Sequence, residues 1–311
     1  MTERMCDGKM RGNEDKIRAS AGNASAPGSS ASSESPAGVP VVSVVLAAGL
    51  GTRFDPRNPK QLVSIAGKPV IAWSLEAFEK NAFVTDIILV VNSRVRAEAE
   101  KIVSSYSFKK VKAIIDGGIE RYHSVRNSID LLDEYGLPGE SAVLFHDGVR
   151  PFVSQETING CIRALRSGAD AAAVAVASTD TLLHAVKRSN SAVCESETAG
   201  EFYVCDVPNR SEMFCAQTPQ AFSFSIIKHA HSIVSQDENF KPTDDIGVLL
   251  HAKEMSRDLR NSQSLEPFDA RTVIVPGEKT NIKITVLDDL PAAEFYAQNI
   301  LQKNSHCEIS L

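Results

Sequence analysis

The chain reads as an α/β protein, with a mostly parallel sheet sandwiched between two helical layers and a β-arm protruding from it. Two observations predict this. Apolar, β-branched runs alternate with amphipathic stretches between residues 41 and 177, as in βα units whose strands are buried on both faces. Such units join through right-handed crossovers, which place helices on both sides of the sheet. Beyond residue 177 the pattern changes to short extended segments around a polar turn, a hairpin too small to hold its own core.

Residues 1–40 are rich in Ser, Ala, Gly and Pro and bury too little apolar surface to order themselves, so they read as a disordered tail. A plastid transit peptide is the rival reading, opposed by Glu3, Asp7, Glu14, Asp15 and Glu34. The body spans residues 41–302. It opens with a strand at 41–46, a helix at 70–80, a strand at 86–91 and a helix at 94–104. A strand at 110–115, a helix at 124–132, a strand at 142–145 and a helix at 155–167 follow, and the run 171–177 closes the alternation. The arm takes about residues 179–216, with extended segments at 180–183 and 201–207 flanking a turn at 189–200. Helices at 224–235 and 244–250, strands at 272–275 and 282–285, and a last helix from Asp288 to residue 301 complete the body, leaving 303–311 as a second tail. Residues 253–267 are polar and carry no assigned element.

With 311 residues, 43% of them apolar, the chain can bury one large core. A net charge of −6 speaks against a nucleic-acid or membrane footprint, which needs concentrated positive surface. Six cysteines are scattered without a C-x-x-C pair or zinc spacing; a reducing cytoplasm suits them, and no metal ligand set is assigned.

The unusual polar residues cluster just after strands, where an open α/β sheet binds its ligand. Ala47, Ala48, Gly49 and Gly51 follow the first strand. Their small side chains leave backbone amides free to face phosphate oxygens. Arg53 and Lys60 add charge for a triphosphate. The loop lacks the third glycine of a dinucleotide fingerprint and the Gly-Lys-Ser/Thr of a P-loop. After the third strand, Gly117 and Gly118 permit close approach of a base or ribose, while Ser124 doubles as a candidate helix N-cap. After the fourth strand, Asp147 and Arg150 make either a loop ion pair or a contact to substrate hydroxyl or metal. Thr243 with Asp244 and Asp245 could simply start a helix, and Lys283, between Ile282 and Ile284, could be a solvated edge lysine.

Seven motifs occur together and in order: residues 46–53; Pro59-Lys60-Gln61; Gly117-Gly118 with Glu120, Arg121 and Ser124; His146-Asp147 with Arg150-Pro151; Gln217-Thr218-Pro219-Gln220; Thr243-Asp244-Asp245; and residues 281–285. On these the chain, over about residues 41–301, resembles the 2-C-methyl-D-erythritol 4-phosphate cytidylyltransferases and, nearly as closely, the sister ribitol-5-phosphate cytidylyltransferases. The resemblance implies a Rossmann-like nucleotidyltransferase sandwich, a CTP and a polyol phosphate as substrates, and a homodimer made through the arm. It implies Ala47, Ala48, Gly49, Gly51, Gly118 and Ser124 as the nucleotide site and Arg53, Lys60 and Lys283 as catalytic cations. Asp147 would hold the polyol, Arg150 would support its loop, and Thr181, Arg210 and Thr218 from a neighbouring subunit's arm, with Thr243, would bind the acceptor. Mg²⁺ is implied as a cofactor bound mainly through the CTP phosphates, with few protein ligands.

Two departures stand out. Ile119 occupies a position where the family often has an acid; Gly148-Val149 replaces the more usual Ala-Ala, and Val149-Arg150-Pro151-Phe152 together with Pro208-Asn209-Arg210 leans towards the ribitol sister. A nicotinamide-dependent oxidoreductase would need an acid closing the second strand, where Asn92 stands. A non-catalytic relative would have lost Arg53, Lys60 and Lys283, and all three are present.

Overall fold

The computed structural model describes residues 38–55, 57–187, 202–237, 239–259 and 268–308. The tail at 1–37, the arm turn and most of the unassigned stretch at 260–267 lie outside them.

In chain order the elements are β1 (Val41–Ala47), β2 (Ser64–Ile65), β3 (Lys68–Pro69), α1 (Val70–Glu79), β4 (Asp86–Val91), α2 (Ser93–Ser105), β5 (Val111–Asp116), α3 (Arg121–Glu134), β6 (Ala142–Asp147) and α4 (Gln155–Arg166). Then come β7 (Ala171–Ala177), β8 (His184–Lys187), β9 (Phe202–Asp206), β10 (Phe214–Ser223), α5 (Phe224–Val234), α6 (Asp245–Leu259), β11 (Thr272–Pro276) and α7 (Leu290–Glu308). Seven strands form the central sheet in the order β11-β7-β10-β6-β1-β4-β5. All neighbours run parallel except β10, which is antiparallel to both β6 and β7.

The period of two along β1 divides the core. Val41, Val45 and Ala47 pack on one side with Ile71, Leu75 and Phe78 of α1, Val95 of α2 and Ile158 of α4. Val42, Val44 and Leu46 pack on the other with Val125 and Ile129 of α3, Ile227 of α5 and Val248 of α6. This is the expected three-layer α/β sandwich. A smaller cluster fastens Ala293 and Ala297 of α7 over Ile65, Trp73 and Phe152. Among the described residues no helix is long and apolar enough to cross a membrane.

The sequence reading is corrected in six places, one of them the last helix, which runs to Glu308 and takes in most of the stretch expected as a tail at 303–311. Residues 214–223 form a full strand despite Pro219, because the ladder to β7 shifts register between Ala216 and Gln220 and so tolerates a residue without an N–H. Residues 282–285 join no ladder; Ile284 donates its N–H to Val149 O at 2.9 Å instead. The third helix starts at Arg121, before Ser124. The sixth continues to Leu259, past the expected end at residue 250. In the arm, the first strand is His184–Lys187 rather than residues 180–183, and it pairs antiparallel with β9.

Candidate active site

The loop after β1 is held from behind. Gln61 is buried, and its Nε2 donates to Ala47 O at 2.7 Å and Gly49 O at 2.6 Å. Asn92 donates through Nδ2 to Ala48 O at 2.8 Å while its Oδ1 accepts the N–H groups of Arg94 and Val95, capping α2. In a planar trans peptide the N–H points opposite the preceding carbonyl. Fixing three successive carbonyls therefore turns the amides of Ala48, Gly49 and Leu50 the other way, and none of these has an acceptor among the described residues. They form a small anion-binding nest. Gly51 takes φ +67°, where a side chain would be strained, and lies against the Lys60 stem.

The opposite wall is the turn after β5. A Cβ at Gly117 would sit 2.2 Å from Ala48 Cβ, so only a glycine there lets the turn approach the loop, and one at Gly118 would sit 2.2 Å from His123 Cβ, so only a glycine there lets the turn fold back onto the start of α3. Ser124 falls inside the first turn of α3, and its Oγ accepts the Gly118 N–H at 3.1 Å. It shapes this wall rather than capping the helix. Between the walls lies a cavity of about 590 Å³ lined by Ala48, Gly49, Lys60, Gly118, Ser124 and Lys283 among others. Ile119 stands on its rim, 98% exposed.

Charge gathers on the floor. Asp147, at the end of β6, accepts Lys283 Nζ on Oδ2 at 2.9 Å, with Arg150 Nε 3.6 Å from the same oxygen and Arg121 Nε 3.4 Å from Oδ1. Burial alone would raise the Asp147 pKa, but the charges of Arg121, Lys283 and Arg150 hold it well below the usual carboxylate range. Arg121 also forks onto buried Asp245 with two bonds of 2.7 Å, tying α3 to α6. Lys60 Nζ donates to Ile284 O at 3.0 Å and has no carboxylate partner among the described residues. Burial, then the neighbouring charges of Lys283 and Arg53, push its pKa down. A cation in this position gains from an incoming anion. Arg53 is exposed on the loop, outside the cavity wall but close enough for its charge to act on Lys60.

The remaining expected residues separate. Arg150 is fixed by Nη1 to Asn281 O at 2.8 Å. Thr218 lies on β10 of the same chain, not on an arm; it is buried, and its hydroxyl is engaged with the Asp147 N–H and the His146 ring. Thr243 is exposed just ahead of α6, whose first turn is capped by Asp244 accepting the Gly247 N–H at 2.8 Å. Thr181 and Arg210 stand exposed on the arm, away from the cavity lining. Sequence reasoning gave no individual role to Arg121 or His146 and read Asp245 only as part of a helix start. Asn92 was read only as a missing acid, although a polar residue just ahead of an amphipathic helix is the signal of a cap; the partners of Arg121 and His146 lie far along the chain and left no local signal.

Three amides facing outward, an unpaired lysine and a second lysine beside one carboxylate suit a polyanion carrying several phosphates. The profile of one family, 2-C-methyl-D-erythritol 4-phosphate cytidylyltransferase (IspD), matches residues 41–299. A 2-C-methyl-D-erythritol 4-phosphate cytidylyltransferase from Bifidobacterium longum subsp. infantis is 45% identical over 267 residues, 86% of this chain and 83% of its own length. One from Lachnoclostridium phytofermentans is 35% identical, over 82% of this chain and 94% of its own. Among solved structures, a 4-diphosphocytidyl-2C-methyl-D-erythritol synthase from Anaerococcus prevotii aligns at TM-score 0.62 and 26% identity, covering 84% of this chain and 96% of that one.

Proposed function

The chain belongs to the 2-C-methyl-D-erythritol 4-phosphate cytidylyltransferase family, and on that premise we propose how its cavity transfers CMP from CTP to 2-C-methyl-D-erythritol 4-phosphate, giving 4-CDP-2-C-methyl-D-erythritol and pyrophosphate. An oxygen of the acceptor phosphate attacks the α-phosphorus in line. The new P–O bond forms as the bond to the bridging α–β oxygen breaks, and that electron pair leaves on pyrophosphate. No covalent enzyme nucleophile is needed, so positioning and charge neutralisation supply the acceleration.

The amides of Ala48, Gly49 and Leu50 receive the triphosphate, with Ala47 and Gly51 shaping their loop. Gly118 and Ser124 take the cytidine side. Lys60 and Arg53 neutralise charge developing on the phosphates, and Lys283, shared with Asp147, meets the acceptor. Arg150 supports the Asp147 turn. Both Asp147 oxygens already face cations, so a Mg²⁺ fits here as a passenger of the triphosphate, held by phosphate oxygens and water, where it would neutralise charge. Thr181 and Arg210 of a second subunit, with Thr243, complete the acceptor side. This requires a homodimer joined through the arm, and the outward apolar side chains of the arm, including Phe202 and Val204, support that reading. The free thiols of Cys161, Cys205 and Cys215 suit a reducing cytoplasm.

The convergence of Lys60, Lys283 and the three unpartnered amides on one cavity carries the proposal. Pyrophosphate release, measured with CTP, UTP and ATP against methylerythritol phosphate and ribitol phosphate, tests it. CTP with methylerythritol phosphate is expected to lead; preference for another base or for ribitol phosphate overturns the assignment.

A further inference from the structure

The turn that carries Asp147 and Arg150 is fastened at both ends by a ring that never reaches the cavity. His146, fully buried on β6, places Nε2 3.0 Å from the main-chain oxygen of Arg150. A carbonyl only accepts, so Nε2 carries the ring proton and Nδ1 is an acceptor. Its donor is the Thr218 hydroxyl at 3.1 Å. That hydroxyl in turn accepts the Asp147 N–H at 3.0 Å. The directions are thus fixed all round: Asp147 N–H to Thr218, Thr218 O–H to His146, His146 N–H to Arg150. Burial pushes the His146 pKa down to about 4, which keeps the imidazole neutral and the directions unreversed at neutral pH. The edge of the ring meets Phe78 at 5.1 Å between centroids, so the rotamer is packed as well as bonded. Ser74 grips the middle of the same turn, donating to Gly148 O at 3.1 Å.

The consequence falls on the Asp147 carboxylate, the shared counter-ion of Lys283, Arg121 and Arg150. Moving its main chain by a fraction of an ångström redistributes three cations at once. We propose that His146, working through Thr218, is a positioning residue for the acceptor half of the reaction: together they set the Asp147 main chain and hence where Lys283 meets the acceptor phosphate. In this reading the Thr218 hydroxyl acts through Asp147 rather than on the substrate. The proposal rests on the cytidylyl transfer described above.

The test is steady-state kinetics on His146→Leu, His146→Asn and Thr218→Val, varying each substrate with the other saturating, with melting temperatures recorded. His146→Leu should lose about 100-fold in kcat/KM for methylerythritol phosphate while KM for CTP moves by about 2-fold or less. His146→Asn, whose Oδ1 replaces Nδ1 as the acceptor for Thr218, should recover about tenfold of that loss. The Leu-Val double variant should lose no more than either single one, because both break one relay. Acceptor kinetics like the wild type's in folded His146→Leu, a loss shared equally with CTP, or additive losses in the double variant would each overturn the proposal. If His146→Leu does not fold, the near-isosteric Thr218→Val alone decides. A wild type inactive on methylerythritol phosphate counts against the functional reading instead, and the same variants are then read with whichever polyol phosphate it turns over.

Discussion

The strand-end cavity and the arm serve one reaction in the functional reading, yet they are built in opposite ways. At the cavity, charged groups are held within the chain: Asp147 pairs with Lys283, Arg121 with Asp245, and Lys60 donates to the Ile284 carbonyl. Gly117 lets one loop close on Ala48 of the other, and Gly118 lets its own turn fold onto His123. On the arm, Thr181 and Arg210 are exposed, and Leu183, Val204 and Phe202 point apolar surface outward, Phe202 with 71% of its area. A two-stranded ribbon has no core with which to cover such surface. In the proposed reading the nucleotide half is complete within one chain, and the acceptor half is completed by a second.

The largest expected effect lies on the complete side. Lys60→Ala should lower kcat by about 10³-fold, because a preorganised charge is removed where phosphate charge develops. The melting temperature should hardly change, since Lys60 has no carboxylate partner among the described residues to orphan. Turnover within a few-fold of wild type would remove Lys60 from the mechanism.

Arg210→Ala should lower kcat/KM for the acceptor by about 100-fold. Mixing it with Lys60→Ala then separates the two regions. If the arm completes a neighbour's cavity, half the dimers are mixed and one of their two sites is intact, so about a quarter of wild-type activity returns. No return on mixing would mean that Arg210 serves its own chain. A smaller effect is expected from Val204→Glu, which places an unpaired carboxylate in the proposed contact and should weaken association roughly 30-fold by sedimentation. An unchanged association constant would move the interface off the arm.

The same contrast governs what could be read in the sequence. The first strand and its loop were legible because their determinants are local: a buried β-branched run, then a glycine whose positive φ and small neighbours free the amides. Strand β10 was not, since Gln217, Pro219 and Gln220 resemble a loop until their partners are seen. Gln217 donates to Glu278 O, 61 residues away, and Gln220 to Asp244, 24 away. Thr218 was placed on the acceptor by resemblance, whereas its hydroxyl is engaged by His146, 72 residues distant. Polar residues buried in a strand are readable only through such long-range partners. Residues 282–285 failed for the converse reason, since alternation suggested a strand where no neighbour continues the ladder.

The smallest effect sharpens the contrast by pH. Burial pushes the His146 pKa down to about 4, and burial followed by the charges of Arg126 and Arg121 pushes His231 down to about 3, both from 6.5. A depressed histidine is neutral in the folded chain and protonated in the unfolded one between those values, so the unfolded state binds more protons there. Stability is fully present above about pH 6.5 and lost as the pH falls, by about 1 kcal/mol for each histidine between pH 6 and pH 5. Asp147, also held down, adds its loss only below about pH 4, outside this window. Denaturant titrations at the two pH values should therefore differ by about 2 kcal/mol, and His146→Gln should remove about half of that difference. Val204→Glu should leave the slope where it was, because the arm carries no buried histidine among its described residues. Equal stabilities at pH 6 and pH 5 would mean that both imidazoles accept protons without leaving the core, and the ring that fastens Asp147 would lose its fixed direction.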